Sequence, residues 1–275
     1  MQRSQVLKKN LPTIMIKLLA NMKRNIKGGY SYLDEEIIIK KYLSLLPHSN
    51  KYCVDIAAAD GIFSSNTYSL FKNGWNGIAV EFDSSNFSTL SKLYEKFVYV
   101  NLVKTKVTPE NVNLILKACE CPNDLAFLNL DIDSYEYFVL EKILSEYRPR
   151  LICTEINEGI PPPISFTVKY DNENLCAGHF FGQSISQCYK LCKIFSYDIV
   201  ELHYNNLFII PHEINKHADL SPEDDFLRGY KDRIDRKKKF PWNADMEILL
   251  SLSRDEGIKF LNTKFEQYKG KYILD

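Results

Sequence analysis

The 275-residue sequence lacks several features that would assign it at once to a class of protein. It has no run of about 18 apolar residues, so we expect no membrane span. Its basic N-terminus lacks the apolar stretch and cleavage site of a secretory signal. Lys plus Arg and Asp plus Glu number 35 each, and this balance does not favour nucleic acid as a partner. We therefore expect a cytoplasmic globular protein.

Cysteine pairs at metal or redox spacing are also missing, although the chain contains seven cysteines. No CxxC pair occurs. Several cysteines lie in apolar runs, where a free thiol behaves as a small hydrophobic side chain. We expect reduced thiols.

Short β-branched segments alternate with helical patterns through the first two thirds of the chain. This alternation predicts an α/β fold, a mostly parallel sheet with helices on both faces. After a polar excursion over residues 157–181, a helix over Gln183–Phe195 and an antiparallel hairpin through Asn205 and Asn206 are predicted. The predicted strands are Tyr52–Ile56, Gly77–Val80, Phe97–Val100, Leu125–Leu130, Leu151–Glu155, Tyr197–Leu202 and Leu207–Ile210, and the earlier helices lie near 33–46, 62–73, 84–95, 109–119 and 135–146.

Three segments are expected: an N-terminal helical segment over residues 1–46, a core over 47–211 and a charged, helical C-terminal appendage over 212–275. Residues 1–29 are basic and amphipathic, which fits either a helix on a membrane surface or one packed on its own domain. The basic run Arg236–Lys239 is interpreted as a solvated surface.

The loop after the first strand is poor in glycine, and this decides which cofactor it fits. Glu81 follows Gly61 by about 20 residues, at the end of the second strand, where an acid accepts hydrogen bonds from ribose hydroxyls. A dinucleotide needs several glycines for its pyrophosphate, whereas this loop has one glycine and the acid Asp60. S-adenosylmethionine carries no phosphate and is positively charged, so Asp55 and Asp60 suit it. The alternative is a turn that only packs.

These residues, with others further along, carry a resemblance to the FkbM-type methyltransferases over roughly residues 30–210. The resemblance implies a Rossmann-like class I methyltransferase fold with S-adenosylmethionine as cofactor. It also implies that Glu81 binds the ribose, that Asn101 lies near the adenine after the third strand, and that Asp131 faces the methionine end. The family usually has glycine where this chain has Ala57. The motifs are Val54–Gly61, Ser65–Thr67, Gly74–Gly77, Val80–Glu81, Leu130–Tyr137, Glu155–Asn157 and Phe181–Ser184.

Polar side chains follow two strands that we expect to be neighbours. Asp131 and Asp133 follow the fourth strand, and Glu155 and Asn157 follow the fifth, so these groups are expected to converge. Asp133, Glu155 and Asn157 offer hard oxygen ligands for Mg²⁺. The alternatives are a metal-free base or substrate contact at Asp133 and Glu155, with His179 as a further candidate base, or capping of the next helix by Asp133 or Ser134.

The resemblance implies O-methylation of a small hydroxylated molecule, and we expect a sugar or glycan intermediate as acceptor. The Asn/Asp-Pro-Pro-aromatic motif typical of DNA amine methylation is missing after the fourth strand. Three alternatives remain: a non-catalytic binding protein with this fold, an RNA or protein methyltransferase, and a nicotinamide-dependent oxidoreductase. The basic run over 228–239 favours an RNA substrate. The scarcity of glycine opposes the oxidoreductase.

Overall fold

The computed structural model describes Met15, Met22 and residues 29–47, 50–172, 177–216 and 219–275. The chain divides into two compact units, residues 1–129 and residues 130–275. The predicted basic helix at the N-terminus falls outside the described residues, apart from Met15 and Met22, which are helical and exposed.

Seven strands form a mostly parallel sheet. In chain order they are β1 (Tyr52–Ile56), β2 (Asn76–Glu81), β3 (Val100–Lys104), β4 (Phe127–Leu130), β5 (Leu151–Glu155), β7 (Tyr197–His203) and β8 (Asn206–Pro211). The strand order is β3-β2-β1-β4-β5-β8-β7, which shares its first five positions with the doubly wound order. Because β8 runs antiparallel to β5 and β7, the predicted Rossmann-like class I fold with a C-terminal antiparallel hairpin is confirmed.

The first unit contains β1, β2 and β3 in parallel register, with Asp55 opposite Ala79 and Ile78 opposite Asn101. Its helices are α1 (Glu35–Leu45), α2 (Tyr68–Lys72), α3 (Ser84–Tyr94) and α4 (Val112–Ala118). The central residues of β1 and β2 are fully buried, since their Val, Ile and Cys side chains lie inside the core. The Asp83 side chain caps the start of α3 by accepting from Ser85 N and Asn86 N.

The predicted position of the third strand was wrong by three residues. Phe97 belongs to the turn after α3, where its N–H donates to Tyr94 O at 2.7 Å and the two rings lie 4.9 Å apart. This aromatic contact ends the helix and delays β3 until Val100. The apolar pattern Phe97–Val100 therefore reflects packing within a turn.

The second unit contains α5 (Glu136–Leu144), β5, α6 (Ile185–Ile194), β7 and β8, followed by the short helices α7 (Pro222–Phe226), α8 (Arg236–Lys239) and α9 (Arg254–Lys264). A second sheet of two strands, which the sequence did not predict, pairs β6 (Phe166–Val168) with β9 (Tyr272–Leu274) in antiparallel register. The C-terminal segment thus contains helices and ends in the strand β9.

The excursion and the C-terminal segment share one hydrophobic core. Phe166 and Phe180 come from the excursion, whereas Leu261 and Phe265 come from α9 and its C-terminal end, and all four are at most 2% exposed. Phe180 also stacks on Tyr268 with ring centroids 3.9 Å apart. The excursion is therefore ordered by residues about 90 positions later in the chain; the boundaries proposed at residues 46 and 211 stay predictions.

Among the cysteines that the structure describes, all six are free thiols, and Cys119 alone is not buried. Over the same described ranges, no helix combines the length and the apolar character needed to cross a bilayer.

Candidate active site

The loop after β1 has an unusual backbone in the first unit. Ala57 and Ala59 adopt positive φ of 69° and 49°, and Gly61 follows with 79°. The N–H groups of Ala57 and Ala58 both donate to Val80 O, at 3.0 and 2.9 Å. A left-handed alanine costs about 1–2 kcal/mol, so the loop holds a conformation that glycine would adopt without strain.

Gly61 is required by packing as well as by its conformation. A β-carbon at this position would lie 2.4 Å from Leu90 Cδ1 and 2.8 Å from Tyr94 Cε1. The Tyr94 hydroxyl also donates to Gly61 O at 2.8 Å. Gly61 therefore lets α3 approach the loop closely.

Glu81 is fixed at the end of β2 by backbone donors on both sides. Its Oε2 accepts from Ala59 N at 2.8 Å, and its Oε1 accepts from Asp83 N at 2.6 Å. Burial raises the pKa of the Glu81 carboxyl, while the hydrogen bonds from Asp83 and Ala59 oppose that rise. A carboxylate has about four lone-pair sites. The Glu81 carboxylate is thus oriented by the loop and retains capacity to accept a further hydrogen bond.

Asp55 lies inside the scaffold, where it is 2% exposed. Its Oδ2 accepts from Thr67 Oγ1 at 2.5 Å, and its Oδ1 accepts from Asn129 Nδ2 at 2.9 Å. Burial raises the pKa of Asp55 to about 6, despite these two hydrogen bonds. Asn129 in turn accepts from Asn66 Nδ2 at 3.0 Å, so Asp55 connects β1 to β4 and to the segment before α2.

Asp60 stabilises the turn in which it lies. Its Oδ1 accepts from Ile62 N at 3.0 Å and from Phe63 N at 2.8 Å. These bonds hold the Asp60 carboxylate, and with it a negative charge, at the loop. A negative charge at this place repels a pyrophosphate.

Asn101 lies within β3 and not after it, because the strand continues to Lys104. It is paired with Ile78 and is exposed. The carboxyl end of β3 is marked by Glu81 opposite Lys104 and by Thr105 N, which donates to Glu81 O at 3.2 Å. The premise that placed Asn101 after the third strand was therefore wrong, since it rested on the misplaced strand.

In the second unit, three carboxylates converge at the ends of β4 and β5. Asp131, Asp133 and Glu155 each place one oxygen within 4.8 Å of the others. Glu155 Oε1 accepts from Asn205 Nδ2 at 2.6 Å, whereas Oε2 is buried without a hydrogen-bond partner in the described part of the chain. Burial and the charges of Asp131 and Asp133 raise the pKa of Glu155 well above its usual value. We call these three residues the acidic cluster.

Two further buried acids border this cluster and were not singled out from the sequence. Glu136 Oε1 accepts from Ile132 N at 2.9 Å and Ser134 N at 3.0 Å, and Glu158 Oε1 accepts from Asn243 Nδ2 at 2.6 Å. Burial raises the pKa of each to about 7. The signal was available for Glu136, which lies in the Leu130–Tyr137 motif, but Glu158 is buried by the distant C-terminal segment.

The capping alternative for Asp133 and Ser134 was wrong. Helix α5 begins at Glu136, and its N-cap is Tyr135, without a side-chain cap. Asp133 is exposed and has a positive φ of 56°. Aspartate tolerates this region better than most residues, and the conformation leaves its carboxylate in the acidic cluster.

Asn157 and His179 lie next to each other but outside the acidic cluster. Asn157 Nδ2 donates to His179 O at 2.9 Å and to Phe181 O at 3.0 Å. The His179 ring instead pairs through Nε2 with Asp245 Oδ1 at 2.9 Å. The Asn157 amide therefore fastens the excursion to the end of β5, and its predicted metal role, like the base role of His179, stays a prediction.

No family model and no curated protein matches the sequence. Among solved structures, the chain is similar to a SAM-dependent methyltransferase from Aquifex aeolicus, with 12% identity over 73% of this chain and 99% of that chain and a TM-score of 0.40. It is similar to another from Clostridium acetobutylicum, with 11% identity over 72% and 99% of the two chains and a TM-score of 0.42. For the N-terminal domain of EvdMO1 with SAH bound, the identity is 8% over 74% and 98%, with a TM-score of 0.44. Similarities at this level decide neither fold nor function, and the FkbM-type resemblance stays a prediction.

Proposed function

We propose that the chain is an S-adenosylmethionine-dependent methyltransferase that methylates a hydroxyl group of a small molecule, a sugar or a glycan intermediate. The observation that carries this proposal is the Glu81 carboxylate, which Ala59 N fixes beside a loop with a single glycine. An oriented acid at the end of β2 suits the two hydroxyls of a ribose. The negative charge of Asp60 in the same loop opposes pyrophosphate and suits a cationic cofactor.

The chain's own residues are proposed to position the acceptor and to remove its proton. When bound, the cofactor supplies a methyl group on a positively charged sulfur. An alcohol attacks efficiently only as it loses its proton, which a base within hydrogen-bond reach accepts. Asp133 and Glu155 are the candidates for this base, because they lie together in the acidic cluster and Asp133 is exposed.

The donor set of the acidic cluster also fits Mg²⁺. Three carboxylates lie within 4.8 Å of one another, and the buried Glu155 Oε2 has no hydrogen-bond donor among the described residues. Hard oxygen ligands of this kind hold Mg²⁺, so we propose Asp131, Asp133 and Glu155 as ligands, while the predicted role of Asn157 stays a prediction. A bound Mg²⁺ would polarise the acceptor hydroxyl. Calorimetric titration with Mg²⁺, with an Asp133→Asn variant as control, tests this role; absence of heat, together with activity that survives EDTA, would exclude it.

The cofactor assignment is tested by thermal unfolding of the whole chain with S-adenosylhomocysteine and, separately, with NAD. We expect S-adenosylhomocysteine to raise the unfolding temperature, since a ligand that binds the folded state stabilises it, and NAD to leave it unchanged. No shift with S-adenosylhomocysteine would overturn the assignment. A shift without turnover on any acceptor of a sugar and glycan panel would favour a non-catalytic binding protein.

The role of the acidic cluster is tested by Asp133→Asn, with Asp255→Asn as a matched control in the exposed part of α9. Production of S-adenosylhomocysteine reports turnover on the acceptor found in the panel. We expect Asp133→Asn to lower turnover and leave cofactor affinity unchanged, because Asp133 acts on the acceptor. A parallel loss of both would move Asp133 into the cofactor site, and an unchanged rate would remove it from the chemistry.

A further inference from the structure

The turn between β7 and β8 joins the acidic cluster to a basic segment of the chain. Asn205 in this turn donates to Glu155 Oε1 at 2.6 Å. The preceding residue, Tyr204, has a positive φ of 58° and donates its N–H to Gly229 O at 3.0 Å. A β-carbon on Gly229 would lie 2.3 Å from Leu202 O, so the glycine permits this close approach. Residues 227–240 are therefore held against the turn.

This segment is strongly basic, and carboxylates neutralise some of its cations. Residues 227–240 contain seven Lys or Arg and two Asp. The Arg236 guanidinium pairs with Glu247, and Lys239 Nζ lies 3.1 Å from Asp235 Oδ2. Of these two cations, Lys239 contacts the turn, where its Nζ lies 2.8 Å from the Tyr204 hydroxyl, whereas Arg236 packs on the Tyr230 ring.

Arg233 differs from these neighbours because it has no carboxylate partner in the part of the chain that the structure describes. Its guanidinium carbon lies 4.9 Å from the centre of the Tyr204 ring, and its Nη2 lies 3.3 Å from His203 Nδ1. Its Nε is buried without a hydrogen-bond partner among the described residues. A guanidinium group has five N–H donors, more than the contact with His203 uses.

The position of Arg233 in the chain relates it to the acidic cluster. His203 and Asn205 are two residues apart, so their Cα atoms are separated by at most about 7 Å. One end of the turn thus contacts Arg233, for which the described ranges contain no carboxylate partner, and the other end contacts Glu155. The carboxylates of the acidic cluster repel an anionic group, whereas Arg233 attracts it. A ligand that fits both ends carries its anionic group at one end and an uncharged hydroxyl at the other.

We propose that Arg233, with His203 and the Tyr204 ring, binds an anionic group of the acceptor, a phosphate or a carboxylate. The acceptor is then a sugar phosphate or an acidic sugar, whose hydroxyl is presented to the acidic cluster. The planar guanidinium donates to two oxygens of such a group at once, which an ammonium group does not. This inference rests on the proposed function, because it names the substrate class of the same site.

The anion site is tested first with inorganic phosphate and acetate, at constant ionic strength, by NMR titration of the folded chain. Arg233→Ala removes the proposed contact, and Lys238→Ala removes one exposed charge from the same segment as a matched control. We expect at least about a tenfold loss of anion affinity in Arg233→Ala, as for hydrogen bonds to a charged group, and little change in Lys238→Ala. Equal affinity in the two variants, or no saturable binding to the unmodified chain, would overturn the proposal.

The acceptor class is tested by titration with glucose 6-phosphate, glucuronate and glucose. Tighter binding of either anionic sugar than of glucose, lost in Arg233→Ala, supports the proposal, and the stronger of the two identifies the anion. Arg233→Lys is measured alongside, because it retains the charge and covers the case in which the alanine variant does not fold. We expect Arg233→Lys to bind the anionic sugars with intermediate affinity. Full affinity would contradict bidentate recognition. If an RNA oligonucleotide binds to the chain and prevents the binding of both anionic sugars, the segment is assigned to nucleic acid instead.

S-adenosylhomocysteine binding separates failure of this inference from failure of the proposed function. If Arg233→Ala binds S-adenosylhomocysteine normally, and anions bind no better to the unmodified chain than to this variant, the acceptor proposal fails alone. If the unmodified chain does not bind S-adenosylhomocysteine, the proposed function fails, whatever the anion titrations give.

Discussion

The Glu81→Ala substitution removes the carboxylate on which the cofactor assignment depends. Each Glu81 oxygen already accepts one backbone N–H, from Ala59 and from Asp83. In the proposed cofactor site, the remaining lone pairs accept from the ribose hydroxyls. Alanine at this position should therefore weaken the binding of S-adenosylhomocysteine.

The expected size of the effect follows from the number and kind of hydrogen bonds lost. A hydrogen bond to a charged group contributes about 1.5–3 kcal/mol, but the freed hydroxyls regain bonds to water. We expect a net loss of about 1–3 kcal/mol, which is roughly 5- to 150-fold in Kd. Glu81→Gln keeps one acceptor oxygen, so its loss should be smaller.

Both substitutions also act on the loop. Alanine leaves the partly buried N–H groups of Ala59 and Asp83 without their acceptor, which lowers the free energy of unfolding by less than the roughly 1–3 kcal/mol of a fully buried group. Circular dichroism must therefore show that each variant is folded at the temperature of the binding measurement.

The assay is isothermal titration of the whole chain with S-adenosylhomocysteine. Asp83→Asn is the matched control, because it removes a negative charge two residues from Glu81 while asparagine still caps α3. Unchanged affinity in a folded Glu81→Ala variant would refute the ribose role. An equal loss in Asp83→Asn would show that the effect is one of general charge and not of hydrogen bonds at Glu81.

Three further predictions concern the stability of the first unit. Gly61→Ala should lower the free energy of unfolding by at least about 2 kcal/mol in urea titrations, because it combines a strained φ with overlap at Leu90 and Tyr94; an unchanged midpoint would contradict the packing argument. Ala57→Gly should raise the free energy of unfolding by up to about 1 kcal/mol, since it relieves a left-handed alanine and the gain exceeds the entropic cost of glycine; a destabilised variant would show that the strain is absent. Asp55 has a folded-state pKa of about 6 against an ordinary 3.8, so the folded state binds its proton more tightly and stability is lost as pH rises between these values. Relative to the unmodified chain, Asp55→Asn should therefore gain about 2 kcal/mol between pH 4 and pH 7, and parallel stability profiles would refute the assignment.

Sequence pattern predicted best where a structural element depends on its own residues. The bounds of β1 and β5 are as predicted, because each is a short β-branched run between clear turn signals. The bounds of β3 were wrong because Phe97 and Tyr94 form an aromatic contact that no periodicity reveals. The error then moved Asn101 from the interior of a strand to its end.

Residue type and spacing also placed Glu81 correctly at the end of β2, since strand, loop, helix and strand follow each other at regular intervals. They did not reveal that Ala57 and Ala59 are left-handed, because alanine carries no preference for that region. The strands β6 and β9 were missed for a different reason. Each has three residues, and they pair across about 100 positions of the chain.

The sequence by itself determined the α/β class, the position of the loop after β1 and the acid that follows β2, because these depend on local periodicity and on short intervals along the chain. The spacing also predicted that Asp131, Asp133 and Glu155 converge, because they follow strands that were expected to be neighbours; only the tertiary structure decided what surrounds them. Glu158 pairs with Asn243 of the C-terminal segment, and the segment of Arg233 lies against β7 because Gly229 permits the close approach to Leu202. Such contacts join residues that are distant in the chain, so burial and neighbouring charge, which set their chemistry, exist only once the chain has folded.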